Sequence, residues 1–136
     1  KLKKKVEDEN IHDVIFTGSR NDVADIIPSC DVLILPSFSE SFGLVLIEAL
    51  ACGKPVIGSN VGGITEIINE NVGLLVDPNK VASIAKAIDT VIDDEELRSS
   101  LALNARARAM EFSEVEIPYD EVKKWNKQLD HLVLQQ

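Results

Sequence analysis

Two glutamates, Glu40 and Glu48, are the residues of this 136-residue chain best suited to chemistry. Seven residues separate them, inside a longer run from Pro36 to Gly63. A carboxylate accepts hydrogen bonds in a planar fork, which suits the vicinal hydroxyls of a ribose or another sugar. Ser39, Ser41 and Gly43 stand just before an apolar helical stretch. Ser39 or Ser41 is placed to cap that helix, and Gly43 lets a ligand approach the backbone closely. The N–H groups of residues 42–44 would then offer unpaired donors, and the positive end of a helix dipole, to a phosphate. A plainer reading also has weight. Glutamate near a helix start is favourable without any ligand, surface helices are rich in it, and a serine–glycine cluster can be only a turn.

The pair also poses an electrostatic problem, because two carboxylates repel a diphosphate. A working pocket needs an arginine or lysine beside them. Arg20, in the loop after the first apolar segment, and Lys80 lie at the appropriate end of the expected sheet. Each also reads as an ordinary surface charge. Lys54, between a helix and the following strand, falls at the opposite end and is set aside.

The elements that must position these groups alternate in type. Val14 to Thr17, Val32 to Leu35, Pro55 to Gly58 and Gly73 to Val76 read as short apolar strands. The second of these is a continuous aliphatic run, as expected of a strand covered on both faces. Between them lie helical segments over Asp22–Ile27, Gly43–Cys52 and Ile64–Ile68, with Gly53 as a helix-terminating glycine. Lys1 to Glu9 reads as a charged helical piece whose apolar positions are Leu2 and Val6. From Val81 onward the pattern is purely helical. Val81, Ile84, Ala85, Ile88, Val91 and Ile92 mark one helix, and Leu97, Leu101 and Ala105 a second. Val122, Trp125, Leu129 and Leu132 mark a third within 114–134. Strand–helix alternation of this length implies right-handed βαβ units, a parallel sheet and helices on both faces: an α/β, Rossmann-like fold. Ligands of such sheets bind beyond the carboxyl ends of the strands. That directs attention to the loops 18–22, 36–42, 59–63 and 77–80.

Size allows one domain, and 45 % apolar residues supply a core that must be mainly aliphatic, since only 4 % are aromatic. Acidic residues outnumber basic ones 23 to 14, giving a net charge of -9. That balance argues against nucleic acid or an anionic membrane as partner. Cys30 and Cys52 sit among apolar residues and read as small core side chains rather than ligands or a bridge. There is no apolar run of membrane-spanning length, so a cytoplasmic location is expected.

Taken in order, these pieces resemble the C-terminal, nucleotide-sugar-binding half of a GT-B glycosyltransferase of glycosyltransferase family 4. The resemblance rests on Val14-Ile15-Phe16-Thr17-Gly18, Cys30-Asp31-Val32, Leu35-Pro36-Ser37 and Glu40-Ser41-Phe42-Gly43-Leu44. It continues through Glu48-Ala49, Gly53-Lys54-Pro55-Val56, Gly62-Gly63, Glu66 and Gly73-Leu74-Leu75-Val76. It implies transfer of a sugar from a UDP- or GDP-sugar to an acceptor sugar or lipid, with retention at the anomeric carbon. Glu40 would contact the donor sugar near the reacting centre, as the catalytic residue. Glu48 would bind the ribose hydroxyls. The backbone of Ser41, Phe42, Gly43 and Leu44 would hold sugar and phosphate, Gly18 would border the base, and Arg20 is the candidate for the phosphates. No metal or other cofactor is implied.

The chain departs from the family pattern at its beginning. Lys1 to Glu9 aligns with the helix before the Val14 strand, so the resemblance covers an incomplete C-terminal half. The first strands and the Arg–Lys grip on the diphosphate are not matched, and Lys1-Leu2-Lys3-Lys4-Lys5 does not replace that grip. Residues 1–113 are expected to form the partial donor-binding domain. Residues 114–136 are expected to form a helix, carrying Tyr119, Trp125 and Leu129, that returns toward an N-terminal domain. The isolated chain is therefore expected to be inactive in transfer, and to be open to self-association through that helix or a sheet edge. A longer enzyme containing it could be cytoplasmic or peripheral to a membrane. Two other readings remain: an epimerase-like domain binding nucleotide-sugars, for which His12 and His131 are poorly placed, and a non-catalytic interaction domain.

Overall fold

A computed structural model describes residues 1–112. The expected helix over 114–134 lies outside the described residues. The centre of the molecule is a parallel sheet of three strands in the order β1 (Leu33–Leu35), β2 (Val56–Ser59), β3 (Gly73–Val76). Leu33 pairs with Val56, and Val56 in turn with Gly73. The flanking helices are α1 (Leu2–Asp8), α2 (Val23–Ile26), α3 (Leu44–Ala51), α4 (Ile64–Ile67), α5 (Val81–Asp93) and α6 (Glu95–Met110). A 3-10 turn over Ile27–Ser29 follows α2, where Pro28 removes a helix donor.

Alternation along the strands divides the core between two faces. Val56, Leu33 and Leu35 join Leu46, Ile47 and Leu50 of α3, and Ala105 and Ala109 of α6, on one face. Ile57, Ile34, Leu74 and Val76 meet Ala87 and Val91 of α5 and Leu101 of α6 on the other. Helices thus cover both faces, as the strand–helix alternation requires. The small residues Ala49, Ala105 and Ala109 let α3 and α6 approach closely. An aspartate N-cap fixes the start of α6: the Asp94 carboxylate accepts from Leu97 N at 2.8 Å, with Glu95 and Glu96 in the first turn. Arg98 then donates to the carbonyls of Val91 and Ile92 at the end of α5, closing the α5–α6 corner.

Several expectations need correction. Val14–Thr17 forms no strand and joins no ladder, and Val14, Ile15 and Phe16 are exposed. A strand needs a neighbour to satisfy its backbone. Among the described residues no strand lies beside this segment. β1 is likewise only half-buried rather than fully covered, whereas β2, with a strand on each side, is buried at every position. The stripe of α1 is not buried either. Of the cysteines, Cys52 is in the core and Cys30 is half-exposed.

Candidate active site

The loop from Pro36 to Gly43 leaves the carboxyl end of β1 and enters α3. Its geometry is set by glycines. Gly43 has φ +84, a left-handed conformation that turns the chain into the helix. Gly43 is itself the N-cap, and neither Ser39 nor Ser41 caps α3. The reason is positional: a capping oxygen must sit on the residue at the helix boundary, and that residue has no side chain. The N–H groups of Gly43, Leu44 and Val45 precede the first bond of α3, from Leu46 N to Gly43 O at 2.9 Å. They are the donors an anion would meet there. The Glu40 carboxylate folds back along the loop and accepts from Phe42 N at 3.5 Å. Its Cγ lies 3.5 Å from where a Cβ on Gly43 would stand, so the side chain lies against the helix start.

The loop rests on the turn between β2 and α4. Gly63 N donates to Glu40 O at 3.1 Å. A Cβ on Gly62 would stand 2.1 Å from Glu40 O, and one on Gly63 2.3 Å from Ser41 O. The contacts are with backbone, which cannot rotate away, so only glycines permit this approach. Glu48 is half-buried in α3, four residues beyond Leu44 and therefore on the same side of the helix, about 6 Å along its axis. The structure thus brings Glu40, Ser41, Phe42, Gly43, Leu44 and Glu48 into one loop and helix start at the carboxyl end of the sheet.

It does not bring Gly18 and Arg20 into contact with them. Among the described residues, no hydrogen bond or ion pair links either to loop 36–43. Gly18 is exposed, and Arg20 donates from Nε to Asp22 at 2.7 Å, with a second bond at 2.5 Å. This fork holds the Asp22 carboxyl below its ordinary value. Lys80 is paired with Asp77 at 3.2 Å. Asp77 also accepts from Asn79 N, and that bond, followed by the lysine, lowers its pKa. Both cations at this end of the sheet therefore carry a carboxylate partner already. Among the described residues, no cluster of His, Cys, Asp and Glu has the makings of a metal site.

The sequence placed Gly62-Gly63 in loop 59–63 and among the family-like pieces, but did not show that it carries the loop 36–43. A glycine pair two strands' reach from a serine–glycine loop is the signal that could have raised the question. It also missed Phe112 and Arg108, for which no local pattern gave a signal.

Comparison with known proteins agrees with this architecture. The family profile described as glycosyl transferases group 1 matches residues 1–108. A glycosyltransferase of Methanocaldococcus jannaschii is 37 % identical over 120 residues, covering 83 % of this chain and 34 % of that protein. A D-inositol 3-phosphate glycosyltransferase of Paenarthrobacter aurescens is 38 % identical over 111 residues, covering 79 % of this chain and 27 % of the relative. Among solved structures, sucrose-phosphate synthase of Thermosynechococcus elongatus superposes with a TM-score of 0.77 at 34 % identity, covering 96 % of this chain and 34 % of that one. Anabaena HepE in complex with UDP-glucose gives 0.74 at 29 % identity, covering 97 % and 35 %. The chain belongs to the glycosyl transferases group 1 family, and its fold is that of a C-terminal GT-B domain. It spans about a third of the length of the relatives it matches.

Proposed function

We propose that this chain is the donor-binding part of a retaining glycosyltransferase of family 4 type. The whole enzyme would convert a UDP- or GDP-sugar and an acceptor hydroxyl into a glycoside, a nucleoside diphosphate and a proton. The bond from the anomeric carbon to phosphate breaks, and a bond to the acceptor oxygen forms with the same configuration. The observation that carries this reading is the loop Pro36–Gly43, held by backbone on Gly62-Gly63 and leading through a left-handed glycine into α3. The UDP and UDP-glucose complexes of a neighbour of the same fold support a nucleotide-sugar as the ligand.

In this reading Glu48 accepts the two ribose hydroxyls, and the N–H groups of Gly43 and Leu44 meet phosphate or sugar oxygens. Ser41 and Phe42 add their backbone, and Glu40 lies beside the donor sugar where positive charge develops in the transition state. Gly18 borders the base, and Arg20 serves the diphosphate once its bond to Asp22 is exchanged for phosphate. No metal takes part. The acceptor, a sugar or a lipid-linked sugar, is met by residues outside this chain, and the whole enzyme works in the cytoplasm or at its membrane surface.

Because the family's Arg–Lys grip on the diphosphate is not matched, and Arg20 and Lys80 are each paired with a carboxylate, the 136-residue chain is proposed to bind its donor weakly and not to transfer sugar by itself. Titration with UDP-glucose and a GDP-sugar tests this. Saturable binding weaker than micromolar, lost in Glu48→Gln, is the expected result. Micromolar affinity would overturn the weak-clamp argument, and no binding of either nucleotide would overturn the donor reading.

A further inference from the structure

Just past the end of α6, Phe112 touches the loop Pro36–Gly43. The ring of Phe112 meets that of Phe42 edge to face, with centroids 6.3 Å apart and an interplanar angle of 74°. Arg108 covers Phe112, its guanidinium 5.0 Å from the ring centroid. The same guanidinium donates to Ile67 O at 2.9 Å and Glu66 O at 2.5 Å, the carbonyls at the end of α4, and also pairs with Glu111. Its side chain is only 19 % exposed, and the bond to Ile67 O is partly buried.

Both routes lead to one place. Phe42 is a residue of the donor loop itself. α4 begins directly after Gly62-Gly63, whose backbone meets Glu40 and Ser41 within hydrogen-bond and contact distance. The loop therefore meets both a glycine turn and an aromatic ring, and Arg108 contacts α4 after the one and Phe112 itself. Edge-to-face pairs and cation–ring contacts are directional, so they hold Phe42 in one orientation rather than merely burying it. The guanidinium fork suits the two outward carbonyls of a short helix, a geometry that an ammonium cannot reproduce.

We propose that Phe112 and Arg108 are positioning residues that set the Phe42-Gly43 backbone for donor binding. They act through Phe42 and α4, and neither is assigned contact with the donor. The role rests on the donor-loop reading above.

Amide hydrogen exchange of the ligand-free 136-residue chain tests the coupling without any donor. Phe112→Leu keeps an apolar side chain and removes the ring edge. Exchange of the Leu46 and Gly63 amides, which donate to Gly43 O and Glu40 O and so report on the loop, should then accelerate at least tenfold while that of Val56 to Gly58 in β2 stays unchanged. Phe112→Tyr keeps the ring and should behave as the parent chain. Arg108→Lys keeps the charge, loses the fork, and should accelerate the same two amides. Should Phe112→Leu fail to fold, the Arg108→Lys pattern alone decides. Uniform acceleration across loop and sheet, or none in the loop, would overturn the positioning role. UDP titration of the same proteins separates the two claims. Several-fold weaker binding in Phe112→Leu, with Phe112→Tyr at parental affinity, supports positioning. Unchanged affinity in Phe112→Leu overturns it, and a parent chain blind to both UDP and GDP overturns the donor reading beneath it.

Discussion

Replacing Gly63 with alanine isolates the contact that holds the donor loop. The φ of Gly63 is -64, a value alanine adopts freely, so the effect is steric and not one of backbone strain. The added Cβ would stand 2.3 Å from Ser41 O and 2.6 Å from Phe42 Cα. Loop and turn must separate by roughly 1 Å, and such overpacking costs about 1–3 kcal/mol. The same shift would displace the Gly43 and Leu44 N–H groups that the proposed reading assigns to the donor, and hydrogen bonds weaken steeply with distance and angle. Losing one such bond to an anionic ligand, worth about 1.5–3 kcal/mol, lowers UDP affinity about tenfold or more. Gly53→Ala is the matched control. Gly53 has φ +71, and its nearest neighbour is the flexible Arg106 side chain at 3.4 Å. Alanine there costs about 1–2 kcal/mol through the left-handed conformation, away from the loop. Urea unfolding and UDP titration of both variants complete the test. The reasoning fails if Gly63→Ala loses stability yet binds UDP as the parent chain does.

Asp22→Asn should tighten UDP binding and make it more salt-sensitive, since it frees the Arg20 guanidinium. Calorimetry at low and high salt measures this, and unchanged affinity would remove Arg20 from the site. Asp22 and Asp77 have folded pKa values below the ordinary 3.8. The unfolded chain then binds more protons in that range, so their contribution is present at neutral pH and fades as pH falls below about 4. Denaturant midpoints across acid pH should show that loss reduced in the double variant Asp22→Asn/Asp77→Asn. Burial pushes the Cys52 thiol up, so a thiol-reactive dye should label Cys30 far faster than Cys52 in the native chain. Equal rates would place Cys52 outside the core.

The sheet and its helices were legible in the sequence because each carries its own period. The aliphatic runs at 33–35, 56–59 and 73–76 became strands, and the three-and-four spacing from Val81 became α5 and α6. Val14–Thr17 has the same local signal and is no strand, because pairing depends on a neighbour that a single segment does not encode. The segment 36–42 was legible as a loop, and Gly43 as the glycine that lets a ligand come close to the backbone. That Gly43 and not a serine forms the helix boundary depends on its left-handed φ, which several placements of the turn could have satisfied. The partners of the loop were not legible. Gly63 lies 23 residues from Glu40 and Phe112 lies 70 from Phe42, and contacts at such separations follow from packing alone.

The structure of the 136-residue chain with UDP-glucose bound tests the central claim most directly. The account predicts the ribose hydroxyls on the Glu48 carboxylate, diphosphate oxygens at the N–H groups of Gly43 and Leu44, and the glucose beside Glu40. UDP-glucose seated elsewhere would contradict it, for example in the hollow of about 270 Å³ lined by Asn60, Asp77 and Asn79.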